Sequence, residues 1–159
     1  MTPATEATRI VTFKLGSDLF AADISVVERV LKYDTPRSIP NVPDWIEGVI
    51  EYQGRVVPVI DLRRRFELPA TEIGPQTRML VFASTGEWVA VIVDAVLDVR
   101  PMLDGDLSEP PKLFRGLAGE YLRGLTRRGD ELVLVLHADR LLSSQERLSL
   151  HPVPGGKDS

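Results

Sequence analysis

The sequence predicts a mainly β protein built from two small barrels related by an internal repeat, with short helices. Three observations predict it. Short β-rich runs punctuated by tight turns dominate the chain between its two ends. Residues 9–30 lie over 78–99 without a gap, and eleven of the 22 pairs are apolar on both sides, so the same faces are buried in both copies. Residues 45–66 lie over 121–142, where Trp45 meets Tyr121, Gly48 meets Gly124, Val57 meets Val133, Val59 meets Val135 and Arg64 meets Arg140. The offset changes from 69 to 76, which needs only an insertion in the irregular stretch before Tyr121. Four or five short strands per half suffice for a small barrel, and closing a barrel removes exposed strand edges.

The elements follow in order. Residues 1–8 read as a tail. Ile10–Leu15 is a β-rich run, Gly16-Ser17-Asp18 a tight turn, and Leu19–Ile24 the returning strand. Val26, Val27, Val30 and Leu31 recur at helical spacing and predict a short helix over 25–32. Pro36–Trp45 holds three prolines and reads as a loop. Gly48–Tyr52 and Arg55–Ile60 are strands joined at Gln53-Gly54. Asp61 is placed to cap a short helix, Leu62–Glu67, by accepting from its first free amides. Arg78–Ser84 and Glu87–Asp94 form a hairpin around Gly86. Residues 101–119 carry three prolines and three glycines and read as a long irregular loop. Tyr121–Thr126 and Glu131–Leu136 are the last strands, 139–148 a terminal helix and 149–159 a second tail. The domain is thus 9–148, with interleaved barrel subdomains whose approximate halves are 9–76 and 77–148.

Composition excludes several functions. No apolar run approaches the roughly 18 residues of a membrane span. Residues 1–8 lack the basic start and apolar core of a signal peptide. No cysteine is present, which excludes disulfides and thiolate metal sites and suits a cytoplasmic protein. The net charge of -4 argues against a nucleic-acid partner. With only His137 and His151, a histidine-rich metal site cannot be built, and His137 reads as the residue that opens a helix, as Asp61 does in the first half. Asp23, Glu28, Glu47, Glu51, Asp61, Asp94 and Asp98 read as solvated or capping carboxylates. Gly-rich phosphate loops are absent. Arg63-Arg64-Arg65 reads as the wet face of a short helix and Arg127-Arg128 as part of a hairpin turn. No catalytic residue, cofactor or metal site is expected, and a groove between two similar barrels is the expected binding feature.

Several stretches resemble the CheW-like chemotaxis coupling family. They are Phe13-Lys-Leu-Gly-Ser-Asp-Leu-Phe20; Ile24, Val27 and Val30; Ile39-Pro40-Asn41-Val42-Pro43; and Trp45-Ile46-Glu47-Gly48-Val49-Ile50. The most specific is Gly54-Arg55-Val56-Val57-Pro58-Val59-Ile60-Asp61-Leu62-Arg63. In the second half, Val91, Val93, Asp94 and Val96 match the family's G-V-V-V-D-x-V block, and Tyr121-Leu122-Arg123-Gly124 matches too. The likeness covers roughly residues 9–145.

The resemblance implies two five-stranded SH3-like barrels and a non-catalytic adaptor. Its implied partners are the cytoplasmic tip of chemoreceptors and the regulatory domain of a CheA-type histidine kinase, in the cytoplasm at membrane receptor arrays, with ring or array assembly open. Related proteins serve twitching, gliding and other chemosensory pathways, and a groove-based small-ligand enzyme is the rival class. The family's partner surface falls on Val27, Arg29, Gly48, Tyr52, Gln53 and Val56. Two of these depart from the family pattern. Val27-Glu28-Arg29-Val30 replaces Val-x-Glu-Val, and Glu51-Tyr52-Gln53-Gly54 replaces Asn-Leu-Arg-Gly. If the usual acid and arginine are partners, Arg29 and Glu51 form a rewired pair; independent surface drift is the alternative.

Overall fold

The computed structural model describes residues 8–66, 68, 69, 72–84, 86–109, 121–137 and 140. Ten strands carry these residues: β1 (Thr8–Leu15), β2 (Asp18–Asp23), β3 (Val27–Lys32), β4 (Ile46–Tyr52), β5 (Arg55–Asp61), β6 (Arg78–Ser84), β7 (Glu87–Val93), β8 (Ala95–Met102), β9 (Leu122–Arg128) and β10 (Glu131–Leu136). One short helix, α1 (Leu62–Arg65), follows β5. Asp61 caps it as expected, accepting from the Arg63 amide at 3.0 Å.

The strands form two five-stranded sheets, ordered β8-β1-β2-β10-β9 and β3-β6-β7-β5-β4. Replacing each strand by its repeat counterpart, β1 by β6 through β5 by β10, turns one order into the other. Each sheet therefore draws strands from both halves of the sequence, and neither half closes a sheet by itself. The join is a parallel pairing in each sheet. Val135 lies beside Ala21 on β10 and β2, and Val59 lies beside Ala90 on β5 and β7. These are the same repeat positions in both.

A short continuation of the edge strand closes each sheet into a barrel. Beyond β3, Arg37 exchanges backbone hydrogen bonds with Val49 of β4, both 2.9 Å. Beyond β8, Ser108 does the same with Leu125 of β9, both 2.8 Å. The recurring glycines sit at these closures. A Cβ on Gly48 would run into the Arg37 carbonyl, and one on Gly124 would come within 2.5 Å of the Ser108 oxygen. Gly48 also has φ +148°, a conformation that other residues rarely adopt.

Alternation along the strands divides the apolar residues among three clusters. Ile10, Leu19, Ala21, Met102, Val133 and Val135 fill the β1 barrel. Val57, Val59, Met79, Val81, Ala90 and Ile92 fill the β5 barrel. The largest cluster lies between the barrels, with Phe13, Phe20, Leu62, Phe82, Val91 and Tyr121 among its members.

Three sequence expectations are corrected. Residues 27–32 are a strand, not a helix; a 3-10 turn at Ile24–Val26 precedes it. The apolar spacing there comes from an edge strand with a bulge, since Val27 pairs with Phe82 and Arg29 with Val81. The irregular loop begins later than 101, because β8 runs to Met102. Arg63 is buried rather than wet. Its Nε and Nη2 donate to Asp61, and its Nη1 donates to Asp94 Oδ1 at 3.1 Å. Asp94 Oδ2 accepts from the Gly16 amide at 2.6 Å, so this network links the two barrels. Arg64 is exposed. The helix expected over 139–148 and the C-terminal tail lie outside the described residues, apart from Arg140.

Candidate functional site

The six residues predicted to face partners all lie on the β5 barrel, but they do not form one patch. Gly48 is buried at the closure and presents no side chain. Val27 is half-buried and packs against the cluster between the barrels. Val56 stands out on β5, 65% exposed, the most exposed large apolar residue among those described. Arg29, Tyr52 and Gln53 come together. Arg29 places its guanidinium 5.9 Å from the Tyr52 ring centroid, and the Gln53 amide donates to the Tyr52 hydroxyl at 3.2 Å. No ion pair joins Arg29 to Glu51 among the described residues.

Barrel closure makes the Arg29–Tyr52 contact, because β3 and β4 stand at opposite ends of the sheet order. The contact continues into two residues that sequence reasoning did not single out. Trp88, at the start of β7, lies 5.5 Å from Tyr52, ring to ring. The Arg55 guanidinium lies 4.2 Å from the Trp88 centroid. Arg29, Tyr52, Trp88 and Arg55 thus form a cation–π ladder over the mouth of the β5 barrel. The sequence signal was weak, because β5 meets β7 through a long-range parallel pairing.

Beside the ladder runs an open groove of about 470 Å³, with Ile39, Val49, Val56 and Pro58 as its apolar lining and Arg55, Glu87 and Trp88 along it. A second open groove, about 560 Å³, lies on the β1 barrel between β8 and β9, with Met102, Leu125 and Leu132 among its lining residues. Val56 and Leu132 are repeat counterparts, as are Val30 and Val99, and all four are exposed.

The mouth of the β1 barrel is built differently. Asp98 stands at the position of Arg29, Arg128 at that of Tyr52, Glu131 at that of Arg55 and Leu19 at that of Trp88. Here the charges pair, one arginine between two carboxylates. Arg128 bonds Asp98 at 2.9 Å and Glu131 at 2.9 Å. The Asp98 hydrogen bond, the largest influence, raises the Arg128 pKa above its ordinary value.

Three of the carboxylates named in the sequence have structural uses. Asp23 caps the 3-10 turn, and Asp61 and Asp94 hold Arg63. The His137 amide donates to the Tyr121 carbonyl, the counterpart of the Asp61–Trp45 bond. Among the described residues, no three carboxylates or histidines converge into a metal-binding group. No helix of these residues is long and apolar enough to cross a membrane.

A family model for the CheW-like domain matches residues 9–146. The chain belongs to the CheW-like domain family. Among its relatives, a chemotaxis protein CheW of Klebsiella aerogenes is 34% identical over 134 residues, covering 84% of this chain and 81% of that protein. Protein FrzA of Myxococcus xanthus is 33% identical, covering 83% of each. Among solved structures, scaffolding protein TtCheW from Thermoanaerobacter tengcongensis superposes with a TM-score of 0.80 at 28% identity, covering 88% of this chain and 95% of that one. The expectation of a mainly β fold of two five-stranded barrels holds, as does the CheW-like resemblance read from the sequence.

Proposed function

We propose that this chain is a non-catalytic adaptor that couples the cytoplasmic tips of chemoreceptors to the regulatory domain of a CheA-type histidine kinase. The carrying observation is the duplication of exposed apolar positions, Val30 with Val99 and Val56 with Leu132, on two barrels that share one core. One chain then offers two docking faces and can hold two partners at a fixed spacing. Both grooves are open rather than enclosed, a form that suits a protein segment. In this reading the chain works in the cytoplasm, reaches the membrane only through receptor arrays, and needs no cofactor.

A specialised chemosensory pathway is the second reading, favoured by Arg29 and Gln53 where the family pattern has an acid and an arginine. Titration of the chain against the receptor tips and kinase regulatory domains encoded in the same genome tests both. The adaptor reading expects one receptor and one kinase to bind together on a single chain. Binding of neither, with turnover of a small substrate in a groove, overturns it.

A further inference from the structure

The two barrel mouths share a scaffold and differ in how they treat charge. In the β1 barrel the three charged residues of the mouth are ion-paired through Arg128. In the β5 barrel the counterpart positions hold two exposed arginines, and neither Arg29 nor Arg55 has an ion pair among the described residues. Both guanidiniums are instead held by aromatic rings. Stacking uses the face of a guanidinium. It leaves the N–H donors in the plane of the group, where a carboxylate can take two at once. Ordering the side chain on Trp88 beforehand also lowers the entropic cost of that contact.

Arg55 and Trp88 line the same groove as Val49, Val56 and Pro58. A cation held at the end of an apolar floor fits one kind of occupant. We infer that the mouth of the β5 barrel docks an acidic–apolar protein segment, with a carboxylate against Arg55 and an apolar side chain against Val49 and Val56. Trp88 is the platform that positions Arg55, and Arg29 extends the cationic rim beyond Tyr52. Glu87 also lines the groove and repels a carboxylate near it, so it restricts where along the groove the segment's acid can sit. The apolar floor and the chain's net charge of -4 favour a protein over a phosphate backbone. This inference rests on the adaptor reading and names the chemistry of one of its partners.

The test titrates the full chain against the kinase regulatory domain and the receptor tip of the same genome, at low and high salt. Arg55→Glu should weaken one of the two about tenfold or more, chiefly at low salt. Arg55→Gln should weaken that partner less. Trp88→Leu should weaken it while keeping the fold, since Leu19 occupies the same position in the β1 barrel. Arg127→Glu, on the exposed end of β9, should leave that partner's affinity unchanged. An acid-to-lysine change in the partner should restore binding to Arg55→Glu. Equal affinities for wild type, Arg55→Glu and Arg55→Gln at both salt concentrations, with all three folded, overturn this inference and leave the adaptor reading intact. Failure of the wild type to bind either partner overturns both. Salt-sensitive retention on phosphatidylglycerol vesicles or duplex DNA, abolished by Arg55→Glu, would assign the arginines to a phosphate surface and also overturn it.

Discussion

Arg63 holds Asp94 at 3.1 Å and Asp61 at 3.0 Å, so one buried guanidinium joins the end of β5 to the end of β7. Asp94 in turn receives the Gly16 amide from the β1–β2 turn. Removing one member of a buried ionic set leaves the others desolvated and unpaired. Arg63→Met should therefore destabilise the chain by about 3 kcal/mol, read by urea denaturation. A loss below about 1 kcal/mol would mean that the site is solvated on the timescale of unfolding.

The pH dependence of that contribution has a definite sign. Burial acts against the Arg63 charge, but the hydrogen bond to Asp61 and the charges of Asp61, Asp94 and Glu47 outweigh it, so its pKa is raised. A cation with a raised folded pKa contributes fully below its unfolded value and loses that contribution only as pH climbs through the folded one. The arginine's own contribution should thus be the same at about pH 7 and about pH 9. Denaturation of wild type and Arg63→Met at both values checks it; a difference that shrinks at the higher pH would contradict the raised pKa.

The three glycines make a graded series. Gly48→Ala meets both a backbone clash and a positive φ, and should cost about 2 kcal/mol or more. Gly124→Ala meets the clash alone and should cost less. Gly74→Ala enters open space and should be neutral or stabilise by up to about 1 kcal/mol. Aspartate in place of Gly48 should damage folding or partner binding far more than at Gly74. Equal melting temperatures across the series would show that the barrel closures relax freely.

The glycines also show what the sequence makes legible. Gly48 and Gly124 stood out because a repeat in sequence is a repeat in backbone geometry, and both closures need the same missing side chain. Interleaving of the halves was expected, but the pairings that make it were not legible, because β2–β10 and β5–β7 are long-range parallel pairings that leave no local pattern. β3 was read as a helix because an edge strand buries no face cleanly and its bulge mimics helical spacing. Arg63 was read as solvated because two arginines follow it; only the fold brings Asp94 to it. The ladder of Arg29, Tyr52, Trp88 and Arg55 needed four strands, β3, β4, β7 and β5, brought together by the fold.

Val56 and Leu132 separate binding from stability. Both are exposed, so Val56→Ser and Leu132→Ser should each change folding stability by no more than about 0.5 kcal/mol. Each should weaken partner binding, and the two should act on different partners, because they lie on different barrels. Melting curves and titrations on the same preparations decide it. Unchanged affinities for every partner would remove these residues from the docking faces.

Arg29 and Gln53 flank Tyr52 on its two polar sides, one over the ring and one on the hydroxyl. The family pattern has an acid and an arginine at these positions. Arg29→Glu with Gln53→Arg therefore reverses the charge of one flank and charges the other while keeping the ring between them. Specificity is a difference of affinities, and a misplaced charge at an interface rim can cost more than a good one gains. The double variant should bind its own kinase or receptor less tightly and partners from a standard chemotaxis pathway more tightly. Both shifts should be larger at low salt, since the groups are exposed. Each single variant discriminates further. Arg29→Glu alone should lose native affinity, because it places a carboxylate where the docking segment brings its own. Gln53→Arg alone should lose little, because it adds a cation to a rim that already carries two. If all four proteins stay folded and bind both partner sets equally, the departures at 29 and 53 are surface drift.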